Sequence, residues 1–167
     1  MMNIFYLDKC PHKAAELQYN KHVVKMILES AQMLCTAHHV LDNRIRLLDD
    51  IPYRIAHVNH PSTKWARENA SNYEWLFHHF CALSKEYKKR YGKTHMSYTK
   101  CFHPLSLLPK SLDGTWHGIT KMPQCMPDEY KDECSIQAYW NYYIGEKHVV
   151  ANPKTEKLYE RRPKTTN

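Results

Sequence analysis

Residues 13–40 read KAAELQYNKHVVKMILESAQMLCTAHHV, a stretch with neither glycine nor proline. Leu17, Val24, Ile27, Leu28, Ala31 and Leu34 recur in it at three- and four-residue steps, the period of one face of an α-helix. The spacing predicts a long first helix from about Lys13 to Val40. Downstream, Pro61-Ser62-Thr63 is a helix start signal. Trp65, Asn69, Tyr73, Leu76, Phe80, Leu83 and Tyr87 then repeat at a near-heptad interval until Gly92 follows a basic last turn. A second long helix is expected over 63–91. Upstream, residues 1–8 alternate loosely and predict a short strand or an extended segment before a turn at Pro11. The stretch 41–61 reads as loop, and 93–127, with Pro104, Pro109, Pro123, Pro127 and Asp113-Gly114, as mostly loop. Asp128 to Ile144 reads as one or two short helices, and 148–167 as an extended or frayed basic tail.

The fold class expected is all-α: two long crossing helices, a shorter C-terminal helix and long Pro-marked loops. The chain of 167 residues suits a single domain spanning 1–167. Hydrophobic residues at 43% and charged residues at 25% exclude wholesale disorder, while 4 Gly against 9 Pro argue against a turn-rich sandwich or barrel. No apolar run approaches the ~18 residues of a membrane span, and the opening MMNIFYLDKC lacks the pattern of an export signal. A cytoplasmic monomer without membrane contact is the expectation.

Charge points to a partner. Lys and Arg number 24 against 17 Asp and Glu, a formal +7, which suits a polyanion. The excess is concentrated: Lys85, Lys88, Lys89, Arg90, Lys93 and Lys100 face only Glu86 within their window. The six cysteines are scattered singly with no CxxC pair, so free thiols in a reducing compartment are expected and a zinc ribbon is not. Twelve histidines include the pairs His38-His39 and His78-His79. Adjacent histidines on a helix point about 100° apart and rarely chelate one ion, so no metal is expected. Gly-rich phosphate loops, a Ser nucleophile elbow and HExxH are all missing from the sequence.

The first helix also carries the candidate chemistry. On a helical wheel His22, Lys25, Glu29 and Gln32 fall within about 80° of one another, a narrow polar stripe flanked by Met26 and Met33. Lys25 and Glu29 at i,i+4 can form a surface pair of roughly 0.2–0.5 kcal/mol. Alternatively, an imidazole, an amine and a carboxylate converge in a cleft, where each perturbs the others and general acid–base chemistry becomes available.

Four windows carry a resemblance: His22 to Gln32, Asn59-His60-Pro61, Glu86-Tyr87-Lys88-Lys89-Arg90-Tyr91-Gly92 and Tyr139-Trp140-Asn141-Tyr142-Tyr143. Together they resemble the pyrimidine-dimer DNA glycosylases typified by endonuclease V of the T-even phages, and the Asn3-Ile4-Phe5 opening is similar to that of small phage proteins. In that family an opening helix carries a His and, seven residues later, the catalytic Glu, the spacing of His22 and Glu29. The resemblance implies an all-helical enzyme that bends double-stranded DNA and breaks a glycosidic bond by amine attack on the sugar, without a cofactor. Catalytic roles are expected for Glu29, His22 and the chain-start amine of Met1, with Lys25 as a substitute amine. DNA contacts are expected from Lys21, Gln32, His60, Lys64, Arg67, Trp140, Asn141 and Lys147. The family's phosphate-binding arginines beside the Glu correspond here to Leu28 and Gln32. Two rival readings stay open: a non-catalytic nucleic-acid-binding protein on the same scaffold, and an enzyme acting on free nucleotides.

Overall fold

The computed structural model describes residues 2–42 and 50–147. Six α-helices run through them: α1 Pro11–Glu16, α2 Asn20–Leu41, α3 Pro61–Ala66, α4 Ala70–Tyr91, α5 Met96–Leu105 and α6 Ser135–Gly145. Short 3-10 turns lie at Lys110–Leu112 and Asp128–Tyr130, and no strand occurs among the described residues. The expected frayed tail at 148–167 lies outside them.

Each long helix of the sequence reading is divided near its start. The first becomes α1 and α2, with Leu17 to Tyr19 between them. The break exposes carbonyls that a continuous helix would use, and Arg90 satisfies them: its guanidinium donates to Glu16 O at 3.0 Å and Gln18 O at 2.8 Å, and to Asn20 Oδ1 at 3.1 Å. The second becomes α3 and α4 because Asn69 adopts an extended backbone and its side chain accepts from the Asn72 amide at 2.8 Å, the geometry of an N-cap. Gly92 ends α4 at φ 75°, where a left-handed residue returns its N–H to Lys88 O.

The region 93–127 is mostly loop as expected, with α5 as the exception that forms inside it despite Pro104. His95 caps that helix by accepting from the Ser97 amide at 3.1 Å, and Pro104 sits in its last turn. Helices α2 and α4 run antiparallel in contact. Arg90 marks one end of the pair, and the other is closed by His38 Nε2 at 2.8 Å from the Tyr73 hydroxyl, which itself donates to Leu105 O.

Residues 2–7 form no regular element and are buried, with Met2, Ile4 and Leu7 at 1% exposure or less. A buried segment outside helix and sheet needs side chains to satisfy its backbone. Here Gln18 Nε2 donates to Ile4 O, Trp140 Nε1 to Leu7 O and Trp75 Nε1 to Lys9 O. Asn3 Nδ2 donates in turn to Cys125 O. These contacts come from the α1–α2 connection, α4 and α6, and the Asn3–Cys125 bond adds a fourth tether for the start of the chain. All six cysteines are free thiols.

Candidate active site

Helix α2 is buried on most of its circumference. Its exposed seam is Lys21, Lys25 and Leu28, with Val24 and Gln32 half-buried beside it. The apolar face drawn from Val24 and Leu28 is therefore corrected: Leu28 is 40% exposed, while α3, α4 and α5 pack on other sides of the helix. His22 and Glu29, which the wheel places on one polar stripe with Lys25 and Gln32, sit on the buried edge of that stripe at 7% and 8% exposure, whereas Lys25 is exposed.

Glu29 accepts the backbone amide of Asn3, while its Oε2 is buried with no hydrogen-bond partner. Burial raises its pKa to about 7, opposed by the Lys25 ammonium, the positive charge of the chain start and the Asn3 amide. A buried carboxylate with one oxygen unused is costly unless something else employs it, since an unmet acceptor loses roughly 1–3 kcal/mol. Its placement links the chain start to the centre of α2.

His22 lies two turns before Glu29. Its Nδ1 is 2.6 Å from the Tyr143 hydroxyl, and its ring stacks on Phe5 with centroids 4.2 Å apart. Burial lowers its pKa to about 3, helped by Lys147 and Lys25, so the imidazole is neutral at physiological pH. Phe5 reaches this position through a left-handed backbone at φ 58°. For a bulky residue that conformation costs on the order of 1–3 kcal/mol, the kind of strain that collects at functional sites.

A pocket of about 260 Å³ opens beside His22, lined by Asn3, Phe5, His22 and Tyr142 and by three lysines, Lys21, Lys25 and Lys147; Glu29 is not part of its lining and borders it through Asn3. The ammonium of Lys147 lies 4.9 Å from the Tyr142 ring centroid. The floor is aromatic and the rim cationic, an arrangement suited to an anion attached to a flat or saturated ring.

The remaining predicted residues divide. His60 caps α3, its Nδ1 accepting from the Ser62 amide at 3.1 Å, and its pKa is lowered by burial, His57 and the charge of the chain start. Ser62 Oγ is 3.3 Å from Cys125 Sγ, and Cys125 O holds Asn3, so α3 and Glu29 meet through one short relay. Lys64 and Arg67 line a separate open groove of about 490 Å³ with Lys121. Arg67 Nη2 donates to Val58 O at 2.8 Å, and its Nη1 is buried without a partner. Asn141 is half-buried and bonded to Tyr130 O and Gln137. Trp140 corrects the expectation of a DNA contact: it is 2% exposed and its indole N–H donates to Leu7 O, so its ring faces the core. Tyr139 and Tyr143 are likewise core residues, and of this cluster Tyr142 lines the pocket. Met1 lies outside the described residues. No group of three His, Cys, Asp or Glu side chains is placed to hold a metal among the described residues.

Sequence reasoning missed Phe5 and Tyr143 as the groups that hold His22. The alternation at 3–7 was a signal of burial, but only the fold shows which histidine the buried ring meets. Comparison with protein families gives one finding: the model described as pyrimidine dimer DNA glycosylase matches residues 2–99, more than half of the chain and the span that holds Asn3, His22, Lys25, Glu29 and His60. No curated protein and no solved structure matches the chain.

Proposed function

We propose, from the premise that this chain belongs to the pyrimidine dimer DNA glycosylase family, that it excises a damaged or modified pyrimidine from double-stranded DNA through an amine nucleophile with Glu29 as the proton-handling carboxylate. The amine nitrogen forms a bond to the sugar C1′ as the C1′–N1 bond breaks and its electron pair leaves with the base. Loss of a proton from nitrogen and opening of the sugar ring give a Schiff base; a second proton removed from C2′ then allows the strand to be cut by elimination.

The observation that carries this reading is Glu29: a buried carboxylate with a free oxygen, held by the amide of Asn3 at the start of the chain. That contact favours the α-amino group as the nucleophile. Its reference pKa near 7.7–8.0, against 10.4 for Lys, leaves a useful neutral fraction at pH 7. Lys25 is the second amine of the pocket. A carboxylate titrating near 7 stabilises positive charge on the sugar in its ionised form and takes or returns protons with little driving force lost. His22, neutral and fixed by Tyr143 and Phe5, orients the sugar or its phosphate by hydrogen bonding. Lys21, Lys25 and Lys147 supply the cationic grip that Leu28 and Gln32 do not.

The test is borohydride trapping. Wild-type protein with a duplex carrying a pyrimidine dimer or an abasic site is expected to give a covalent adduct, with Glu29→Gln reducing its formation rate at least a hundredfold. Peptide mapping of the trapped adduct locates the amine, at the chain start or at Lys25. No adduct with either duplex, or equal rates in wild type and Glu29→Gln, defeats the proposal.

A further inference from the structure

The basic run at the end of α4 takes no part in the pocket at His22 and Lys25. Arg90 is occupied by the backbone around the α1–α2 break and by Glu86. Lys85 and Lys88, three residues apart on the exposed side of α4, instead rim a cavity of about 340 Å³ bounded by α1, α4 and the start of α5. Cys81, Ala82 and the half-buried ring of Tyr98 line it, and His12 of α1 adds a third basic side chain. It shares no lining residue with the pocket at Lys25.

Two features give this cavity a ligand chemistry. Lys85 and Lys88 form no ion pair among the described residues, whose acidic neighbours Glu86 and Glu74 are taken by Arg90 and His78. Side chains three apart on a helix are about 5–6 Å apart at Cβ, close enough for both ammonium groups to reach one phosphate. The interior is of a different kind. Tyr98 is braced by Phe80 and Phe102, with ring centroids 5.8 and 5.1 Å away, and so offers a fixed aromatic surface. Burial, with a contribution from Glu74, pushes the Cys81 thiol up to about 11, so it remains a neutral, apolar wall. The volume falls in the range of roughly 300–1,000 Å³ typical of small-molecule sites.

We propose that this second cavity binds one nucleotide unit, with its planar base against Tyr98 and its phosphate between Lys85 and Lys88. A ring joined to a phosphate uses both kinds of wall at once; inorganic phosphate uses only the rim and a nucleoside only the interior. The unit can be a free nucleotide or the phosphorylated end of a single strand, which present the same chemistry.

Calorimetric titration of the full chain with thymidine 5′-monophosphate, thymidine and inorganic phosphate tests the site. The monophosphate is expected to bind at least tenfold more tightly than either fragment. The double substitution Lys85→Glu, Lys88→Glu is expected to weaken it at least tenfold, and Tyr98→Leu about fivefold or more, as for loss of one stacked base. Both lysines are exposed, so the double variant keeps the test interpretable if Tyr98→Leu fails to fold. Competition by a 5′-phosphorylated single-stranded oligonucleotide identifies a strand end as the source, and lack of competition identifies the free nucleotide. Equal binding of phosphate and monophosphate overturns the proposal, as does no binding at millimolar concentration. So does binding that survives Lys85→Glu, Lys88→Glu but is lost in Lys25→Glu. Borohydride trapping on abasic duplex is expected to be unchanged in the double lysine variant, so failure of this site and failure of the Glu29 chemistry give different results.

Discussion

At the residue scale, one carboxylate links stability to activity. The folded chain holds Glu29 near pKa 7, above the ~4.3 of an unfolded glutamate, because burial penalises its charged form. A raised folded pKa contributes stability that is fully present below the unfolded value and is lost as pH rises through about 7. Glu29→Gln removes this loss, so its melting temperature is expected to exceed that of the wild type by about 2–5 °C at pH 8, with a smaller or reversed difference at pH 5. Scanning fluorimetry at the two pH values checks this, and an equal shift at both contradicts the buried charge. The reaction uses the same titration in the opposite sense. Adduct formation by the wild type is expected to rise with pH to a limb near 7, and a limb near 4 would place the working carboxylate elsewhere. His22 and Glu29 could be paired from the sequence, because their seven-residue spacing puts them on one side of a helix. Their burial could not be read there, since it depends on Asn3 and Tyr143, residues distant in the chain that cover them.

At the scale of elements, periodicity revealed the two long helices but not their breaks. Apolar spacing continues smoothly through Leu17 and through Asn69, and hydrophobicity alone does not register the side chains that take over the backbone bonds there. Arg90 was read as one more cation of a nucleic-acid patch, yet its guanidinium fork serves three acceptors around the α1–α2 break. Lysine has a single ammonium and cannot span them. Arg90→Lys is therefore expected to cost about 1–3 kcal/mol in urea unfolding, with DNA affinity at the Lys25 pocket unaffected. Gly92 offers a cleaner case. A Cβ there meets nothing within 4 Å, but its φ of 75° is left-handed, so Gly92→Ala is expected to lose about 1 kcal/mol from backbone strain alone. A null effect in the same unfolding assay would show that the end of α4 relaxes to a different cap. Helix α5 escaped the sequence reading because Pro104 and the neighbouring prolines signal loop, whereas a proline in the last turn of a short helix is tolerated when the His95 cap starts it firmly.

For the whole molecule, the formal +7 becomes an argument only when the cations are located. Lys21, Lys25 and Lys147 line the pocket at His22, and Lys64, Arg67 and Lys121 line the open groove near α3. No helix among the described residues is long and apolar enough to cross a membrane. Each phosphate neutralised by such a cation releases condensed counterions, so the logarithm of duplex affinity falls linearly with the logarithm of salt concentration, with a slope of about −0.9 per contact. Lys25→Gln and Lys147→Gln are each expected to make that slope shallower by about one. Lys64→Gln reports separately on the groove, where an equal change would extend the DNA path from the pocket at Lys25 to α3. Fluorescence anisotropy of a labelled duplex across 50–300 mM salt gives all three slopes. If Lys25→Gln and Lys147→Gln lower affinity without changing the slope, these lysines shape the pocket rather than hold phosphate. The cationic grip that stands where the family carries arginines would then have to come from Lys64, Arg67 and Lys121.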